Sequence, residues 1–403
     1  MFFDGCDPDH PLSQCSFICL DPVEKIRSFD DKVFIINDSE ELTLTGNPLD
    51  ILRDRIKLWS PQESEMDPVN SMHPFRGGAA GYFGYDLGRT IEQLPVRAKR
   101  LDDVPDMAVG IYTTVIAFHH KTKKTSLYLL DKNEDSAKHR YNQICWRLKN
   151  SGPKPCQQGG CSAVLRPLTP RQDFIENIRK VIEYIHAGDI FQANLALEFE
   201  GQGGADFDPF SHYLFLRKLN IAPYAAYLNI EDLKIASVSP ESFLSVRDGN
   251  VITRPIKGTC PRYSDEKKND NAKSDLVGDE KCRAENAMIV DLLRNDLSRV
   301  CTDHSIDVPS LCEIESYSRV NHMVSTVTGR LRPDKNTMDL IKASFPGGSI
   351  TGAPKIRAME IIEELENYRR GPYCGAIGMI DFNGNLETSL AIRTIVHHNG
   401  TIR

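Results

Sequence analysis

Arg254-Pro-Ile-Lys-Gly-Thr-Cys-Pro-Arg262 is a short run of strand-forming residues with one central lysine, Lys257. Pro255 and Gly258 are poor residues for a central strand, so the run is predicted to lie at a strand end or where another backbone approaches closely. A second stretch, Pro346-Gly-Gly-Ser-Ile-Thr-Gly-Ala-Pro-Lys355, is a glycine-rich turn that we expect to open a helix. The rest of the chain is interpreted outward from these two segments.

Strand-like and helix-like segments follow one another irregularly along the rest of the chain. Strands are predicted at residues 33–37, 108–119, 125–130, 191–199, 225–230, 235–238, 243–246 and 251–256. Helices are predicted at residues 136–149, 281–300, 337–345 and 353–365. Many strands with irregularly placed helices are typical of an α+β fold with large antiparallel sheets.

Residues 151–168 are the best candidate for a linker, because they are rich in Gly, Pro, Gln and Cys and show no periodicity. The predicted division is therefore an N-terminal region at 1–150 and a catalytic region at 169–403. A helix is expected to begin directly after the linker, with Thr169 as its cap and Pro170 in its first turn. Its apolar stripe should be buried; it consists of Phe174, Ile178, Val181, Ile182 and Ile185.

Composition excludes several classes of protein. A hydrophobic content of 40% and a charged content of 26% are those of a globular protein, and a formal charge of -7 argues against a general nucleic-acid binder. No apolar run is long enough to span a bilayer. The eleven cysteines lack metal-type pair spacing, which predicts free thiols in a reducing, cytoplasmic environment.

Three charged residues are candidates for chemistry. Lys257 is either a nucleophile, which requires desolvation or a cationic neighbour such as Arg254, or a solvated lysine on an edge strand. Glu241 lies at a turn between two predicted strands, where most glutamates are simply exposed. Glu285 shares a helical face with apolar residues, and such an acid is either a hard-metal ligand or one half of an ion pair.

Further candidates are a histidine, the glycine-rich turn and an arginine. His322 lies in an apolar strand, where a histidine is often a satisfied core residue. The turn at 347–355 either binds an anion through its backbone N–H groups or is a plain tight turn. Arg393 is predicted in a strand, where it either grips a carboxylate at two points or faces solvent.

In combination, these segments resemble the superfamily of chorismate-utilising enzymes that includes anthranilate synthase component I, aminodeoxychorismate synthase and isochorismate synthase. The resemblance extends from about Met1 to Arg403. Besides the two segments above, its motifs are Phe75-Arg-Gly-Gly-Ala-Ala-Gly-Tyr-Phe-Gly-Tyr85, Gln192-Ala-Asn-Leu195, Ser239-Pro-Glu241, Asp291-Leu-Leu-Arg-Asn-Asp296, Tyr373-Cys-Gly-Ala-Ile-Gly378 and Ile392-Arg-Thr394.

The resemblance implies a compound two-sheet antiparallel β-sandwich with outer helices and roles for individual residues. By motif, Glu241 matches the acid that assists loss of the substrate's C4 hydroxyl, His322 the histidine beside the substrate ring, and Glu285 a Mg²⁺ ligand. Positions expected to bind substrate are Gly258, Thr259, Gly348, Ser349, Tyr373 and Arg393.

Lys257 points to one branch of the superfamily. Anthranilate synthases resemble Pro-Ile-Ala-Gly-Thr here, whereas aminodeoxychorismate synthases resemble Pro-Ile-Lys-Gly-Thr, as in this chain. The branch implies conversion of chorismate and ammonia to 4-amino-4-deoxychorismate through a lysine adduct. It also implies Mg²⁺ and a separate glutamine amidotransferase subunit that supplies ammonia, with no nucleic-acid or membrane partner. The alternatives are anthranilate or isochorismate synthase chemistry, or a truncated, non-catalytic chorismate-binding remnant.

The end of the sequence carries a further expectation. Asn399-Gly400 looks like a hairpin turn, but only three residues follow, and so short a strand is expected to pair poorly. Family members continue with a glycine-rich segment and a second metal-binding glutamate, so the chain as written is expected to bind and convert chorismate weakly.

Overall fold

The computed structural model describes residues 1–7, 10–61, 73–100, 103–152, 163–204 and 207–403. The α-helices of these residues are α1 (Pro48–Trp59), α2 (Glu134–Asn150), α3 (Arg171–Ala187), α4 (Pro209–Leu219), α5 (Glu266–Gly278), α6 (Glu280–Ser298), α7 (Thr337–Ser344) and α8 (Lys355–Leu365). Within the described ranges, no helix combines the length and apolar character needed to cross a membrane.

The strands form two large sheets and one small one. In chain order they are β1 (Phe2–Asp4), β2 (Cys15–Cys19), β3 (Glu24–Phe29), β4 (Lys32–Ile36), β5 (Glu41–Thr45), β6 (Gly78–Phe83), β7 (Met107–Tyr112), β8 (Thr114–His119), β9 (Lys124–Leu129), β10 (Arg166–Pro167), β11 (Gln192–Ala193), β12 (Phe199–Gln202), β13 (Tyr224–Ile230), β14 (Leu233–Ser239), β15 (Ser242–Arg247), β16 (Asn250–Thr253), β17 (Ile256–Pro261), β18 (Asp307–Ser316), β19 (Val320–Arg330), β20 (Gly352–Ala353), β21 (Ala376–Asp381), β22 (Leu386–Leu390), β23 (Thr394–His398) and β24 (Thr401–Ile402).

The ten-stranded sheet has the order β10-β12-β24-β23-β14-β13-β1-β2-β8-β9. The twelve-stranded sheet has the order β17-β19-β16-β15-β22-β21-β6-β7-β3-β4-β5, with β18 also paired to β19. The small sheet joins β11 to β20. The strand pairs that form these ladders are antiparallel, and they link distant parts of the sequence, for example β6 to β21 and β1 to β13.

Alternating side chains pack the two large sheets face to face. Along β13, Ala226 and Leu228 belong to the apolar layer between the sheets, whereas Ala225 and Tyr227 point to the opposite face and pack with Tyr213 of α4. Helices α1, α6 and α7 cover the outer face of the twelve-stranded sheet in the largest core cluster. The predicted α+β sandwich with outer helices is confirmed.

Two local predictions from the sequence are wrong. The single strand predicted at residues 108–119 is two strands, β7 and β8, which lie in different sheets with Thr113 between them. Helix α3 is capped by Pro170 without a side-chain hydrogen bond, so Thr169 is not its cap. Of its apolar stripe only Val181 is buried, because α3 rests on α8 along a narrow seam.

The C-terminal hairpin also differs from expectation. Asn399 and Gly400 have φ values of 49° and 81°, which suit a tight turn between two strands. The short β24 pairs with β23 on one side and with β12 on the other. The expectation that it would pair poorly is wrong, because hydrogen bonds on both sides compensate for its length.

The sequence-based division of the chain stays a prediction. Residues 153–162 of the predicted linker lie outside the described residues. Strands from before and after the linker occur in both large sheets. The two predicted regions therefore share both sheets.

Candidate active site

Lys257 lies on β17, an edge strand of the twelve-stranded sheet that pairs with β19. The register shifts between Ile256 and Thr259, and Gly258 takes a φ of 86°, which favours glycine because it has no Cβ. The irregularity surrounds the half-buried Lys257, whose Nζ donates a hydrogen bond to the carbonyl oxygen of Ser349 at 3.0 Å. Lys257 is the second residue of β17, in agreement with the predicted position at a strand end.

Glu241 is buried in the turn between β14 and β15, with 6% of its surface exposed. The Ser349 hydroxyl donates to its Oε1 at 2.8 Å, and the backbone N–H of Ile256 donates to the same atom at 3.3 Å. Burial raises the pKa of this carboxyl, while the Ser349 bond and the charge of Lys257 oppose the rise. The ordinary expectation of an exposed glutamate at a turn therefore does not hold.

Ser349 connects the two charged groups. Its carbonyl oxygen accepts from Lys257, and its hydroxyl donates to Glu241. A cation on β17 and a buried acid in the turn between β14 and β15 are thus held against one residue of a loop. The Ser349 hydroxyl and the Ile256 N–H both donate to Oε1 of Glu241. In the described part of the chain no hydrogen bond is made to Oε2, so this oxygen can exchange a proton.

His322 lies on β19 beside this group and is 2% exposed. Its Nδ1 is 2.8 Å from the Thr259 hydroxyl, and the ring of Tyr317 packs edge-on against it at 5.0 Å between centroids. Nε2 is buried without a hydrogen-bond partner among the described residues. Burial, with the charge of Arg393, lowers the pKa of His322 to about 4. The ring is therefore neutral near pH 7 and has one nitrogen available for a ligand.

The predicted cationic neighbour of Lys257 is engaged elsewhere. Arg254 forms an ion pair with Glu315, and the Tyr317 hydroxyl also donates to Glu315 at 3.3 Å. The guanidinium charge is therefore largely compensated, and the suggestion that Arg254 activates Lys257 is not supported by the geometry.

Glu285 is only partly buried on α6. Its side chain is 33% exposed, and the nearest ion-pair partner is Lys281 of the same helix at 4.0 Å. A basic partner from another element, which the sequence left open, does not occur among the described residues. In those residues no three His, Cys, Asp or Glu side chains cluster as a metal cage. One carboxylate remains compatible with Mg²⁺, which often uses one or two protein carboxylates and completes its shell with water and substrate.

One face of α6 runs along the site. Its residues, spaced three or four apart, are Cys282, Glu285, Ile289, Leu292 and Asp296. A Cβ at Gly258 would lie 3.2 Å from that of Cys282, and a Cβ at Gly348 would lie 2.5 Å from Leu292. Glu285 therefore sits on the helix between its contacts with β17 and with the glycine-rich turn.

The glycine-rich turn does not open a helix directly. Gly348 is buried and begins a short 3-10 turn, Gly348–Ile350, which is followed by β20. The α8 helix starts only at Lys355, and its preceding residue, Pro354, offers no side-chain cap. The loop is instead held by pairing of β20 with β11, where Gly352 is required because a Cβ would collide with the carbonyl oxygen of Gln192.

The two remaining predicted residues are Arg393 and Tyr373. Arg393 is in the bend between β22 and β23, not in a strand as predicted, and has a φ of 51°. Its exposed side chain is close enough to influence the pKa of His322. Tyr373 is 37% exposed and precedes the buried Cys374. Thr259 is also exposed, although its hydroxyl is bonded to His322.

A cavity of about 300 Å³ is lined by Tyr373, Glu366, Arg370 and Thr394 among other residues. Its wall does not include Lys257, Glu241 or Ser349. The volume is at the lower end of the range for small-molecule sites. The candidate active site is therefore defined by the contacts among Lys257, Glu241 and Ser349 and not by this cavity.

Two buried ion pairs near the loop were not predicted from the sequence. Lys355 pairs with Asp296 at 2.6 Å, and Arg370 pairs with Glu366 at 2.6 Å. Arg370 also donates to the carbonyl oxygen of Ile350 at 3.0 Å. A sequence signal existed for the first pair, because Asp296 lies eleven residues after Glu285 and so falls on the same helical face.

A two-sheet α+β fold that brings a lysine, a buried carboxylic acid and a neutral histidine to a glycine-rich loop defines an enzyme of group-transfer or lyase type. Comparison with known proteins gives the family. The model for "chorismate binding enzyme" matches residues 1–403, and the chain belongs to this family.

Individual relatives extend the comparison. The chain is 39% identical over 395 residues to "Aminodeoxychorismate synthase component 1" of Escherichia coli (strain K12), covering 98% of this chain and 84% of the relative. It is 38% identical over 373 residues to "Anthranilate synthase component 1" of Thermus thermophilus, covering 92% and 78%. The crystal structure of anthranilate synthase component I from Streptococcus pneumoniae superposes with a TM-score of 0.86 at 30% identity, covering 96% and 85%.

Proposed function

We propose that this chain converts chorismate and ammonia to 4-amino-4-deoxychorismate. The observation that carries the proposal is Lys257, placed in the Pro-Ile-Lys-Gly-Thr motif and joined to the buried acid Glu241 through Ser349. Relatives named aminodeoxychorismate synthase component 1 at 37–42% identity support the same branch.

The nucleophile in this proposal is the amine of Lys257. After its ammonium form gives a proton to solvent water, its lone pair attacks ring carbon C2 and both ring double bonds shift. The C4–O bond then breaks. Lys257 is placed for this step because it contacts Ser349, the residue that also bonds the proposed acid Glu241.

Glu241 would supply the proton that the departing C4 hydroxyl needs to leave as water. Its raised pKa keeps part of the carboxyl protonated, and Oε2 is available for the transfer. Ammonia then bonds to C4, the double bonds return and the bond to Lys257 breaks. The net reaction exchanges hydroxyl for amine and releases water, with the pyruvyl ether retained.

His322 and Arg393 would orient the substrate. The neutral His322 has Nε2 available for a hydrogen bond beside the ring, and Arg393 offers two parallel N–H groups to a carboxylate. Gly258, Thr259, Gly348, Ser349 and Tyr373 are proposed to line the same pocket. These roles come from motif matching and from the convergence of the residues around the loop.

Glu285 would hold Mg²⁺ together with water and a substrate carboxylate. The ion, when bound, neutralises negative charge on the dianionic substrate. The residue fits because its carboxylate is partly exposed and, among the described residues, its ion-pair partner is Lys281 at 4.0 Å. Ammonia is proposed to come from a separate glutamine amidotransferase subunit, and a cytoplasmic location is proposed from the thiol-rich composition.

Anthranilate synthesis is the second candidate, because relatives of that name match at up to 38% identity. The test is to incubate the purified chain with chorismate, Mg²⁺ and excess ammonium, and to identify products by mass spectrometry and fluorescence. The proposal expects an amino product that retains the pyruvyl group and yields 4-aminobenzoate with a lyase. Fluorescent anthranilate with free pyruvate would favour the second candidate, and unconsumed chorismate would contradict both.

A further inference from the structure

The ion pair between Asp296 and Lys355 has no role in the steps above. Its side chains are 9% and 12% exposed. Lys355 Nζ lies 2.6 Å from Asp296 Oδ2 and donates a second hydrogen bond to the carbonyl oxygen of Ser344 at 2.7 Å. The pair therefore joins three helices, since Asp296 is in α6, Ser344 ends α7 and Lys355 begins α8.

The bond between Lys355 and Ser344 closes the loop at residues 345–354 at its base. Both ends of this loop are thereby fixed to one ammonium group. Ser349, near the middle of the loop, is the residue that contacts Lys257 and Glu241. A shift at the base of the loop would therefore move both contacts together.

Asp296 fixes the same base to α6. It lies on the helical face that carries Glu285 and Leu292, and Leu292 packs beneath Gly348. The ion pair thus sets the position of the loop relative to the helix and to the edge strand β17. Helix α6 and the glycine-rich loop, two of the segments that form the proposed reaction centre, therefore meet at this ion pair.

Stability alone is a weak reason for such a pair. Removing two charges from water costs free energy that their attraction does not always return, and apolar replacements of similar size are often neutral or stabilising. A buried pair that also closes a loop has the geometry expected of a positioning contact.

We propose that Asp296 and Lys355 are positioning residues that hold Ser349 in contact with both Lys257 and Glu241. The inference rests on the proposed function for its kinetic effect but not for its structural effect. Neither residue contacts the proposed reacting groups directly. Loss of the pair should lower kcat far more than it raises KM, because a displacement of about 1 Å at reacting groups can cost about a hundredfold in rate.

The main test is the double variant Asp296→Leu, Lys355→Met in the full chain. The matched control is Glu24→Leu, Arg55→Met, which removes another buried pair in β3 and α1, toward the opposite edge of the sheet from β17. We expect the first variant to keep a melting temperature near that of the parent and to lose about a hundredfold in kcat, whereas the control keeps kcat. A folded double variant with parental kcat would overturn the proposal.

A second measurement does not depend on the reaction. Lys257 is labelled with a small amine reagent and quantified by peptide mass spectrometry in the parent and in Asp296→Asn, which retains the side-chain volume. Loosening of the loop removes the carbonyl bond to Lys257, so its labelling should rise about tenfold, equivalent to the loss of one hydrogen bond. Equal labelling would contradict the proposal even where the double variant does not fold.

The two measurements separate two kinds of failure. If the parent consumes no chorismate, the proposed function is wrong, and the labelling of Lys257 still decides whether the ion pair positions the loop. If the parent is active but labelling does not change, the function stands and the positioning role is rejected.

Discussion

Lys257 contacts the middle of the loop at residues 345–354 and Lys355 closes its base, but the two lysines are held differently. Lys355 is fixed by the Asp296 carboxylate at 2.6 Å and by the Ser344 carbonyl at 2.7 Å. Lys257 has a single carbonyl partner, Ser349, at 3.0 Å, and its nearest acid, Glu241, is bonded through Ser349. The difference teaches that burial and charge do not by themselves mark a reactive lysine. In the proposed function, the nucleophile is the lysine whose ammonium is not held by a carboxylate.

The comparison is tested most strongly by removing each lysine in turn. Lys257→Ala should lower product formation by at least about a thousandfold, because no other described group replaces the nucleophile, and should leave the melting temperature almost unchanged. Lys355→Met should instead cost about 3–5 kcal/mol of stability, because Asp296 keeps a buried charge without its partner. Initial rates and thermal melts measure both effects. Comparable rates in Lys257→Ala and the parent would show that Lys257 is not the nucleophile.

The acid beside Lys257 provides the next test. Glu241→Gln removes the proton donor but keeps a similar shape, so we expect kcat to fall by about a hundredfold or more. The control is Glu387→Gln, since Glu387 is another acid whose pKa is raised by burial, but it bonds Ser245 on β15. Steady-state kinetics should show the loss only in the first variant. An equal loss in both variants would indicate a general effect of neutralising buried acids.

A smaller effect is expected on the opposite side of the loop, at α6. Glu285→Gln should weaken Mg²⁺-dependent chorismate binding by about tenfold to a hundredfold, the equivalent of one charged contact. Asp291→Asn is the control, because Asp291 lies on the same helix with its side chain 82% exposed and pairs with Arg294. Calorimetry with and without Mg²⁺ measures the affinities. Equal Mg²⁺-dependent affinity in Glu285→Gln and the parent would leave Glu285 with only a structural role.

The smallest expected effect is a pH dependence of the free energy of unfolding, which compares two buried histidines, one inside the proposed site and one outside it. Burial lowers the pKa of His322 and of His397 to about 4, whereas an unfolded histidine titrates near 6.5. Between these values the unfolded chain binds more protons, so these residues should make the free energy of unfolding decrease as pH falls from about 6.5 to 4.

The expected slope is about 1.4 kcal/mol per pH unit for each of the two histidines. His397→Asn should remove about half of the slope that the two histidines contribute to the free energy of unfolding. It should leave the pH profile of the reaction unchanged, because His397 packs against His212 and Phe207 and lies outside the proposed site. Denaturant melts at several pH values measure the slope. A slope equal to that of the parent would show that His397 does not titrate as proposed.

The sequence predicted the parts of the site that are local in the chain. Lys257 was singled out because it lies between strand-breaking residues, whereas Gly258 and Ser349 were expected in the site from the family resemblance, and the roles of all three stay predictions. The pairing of Asp296 with Lys355 was not predicted, since it depends on how two helices meet in space. The small extent to which α3 is buried was missed for the same reason, as was the change of sheet at Thr113.

The sheet order has a consequence for how the chain is made. Tyr82 pairs with Ile377 and Phe2 pairs with Tyr227, so strands completed early in synthesis find their partners only when distant residues have emerged from the ribosome. Until then β6 and β1 expose unpaired backbone groups, and long-range pairing of this kind is slow. We expect the nascent chain to need chaperone protection until nearly all of it has been translated.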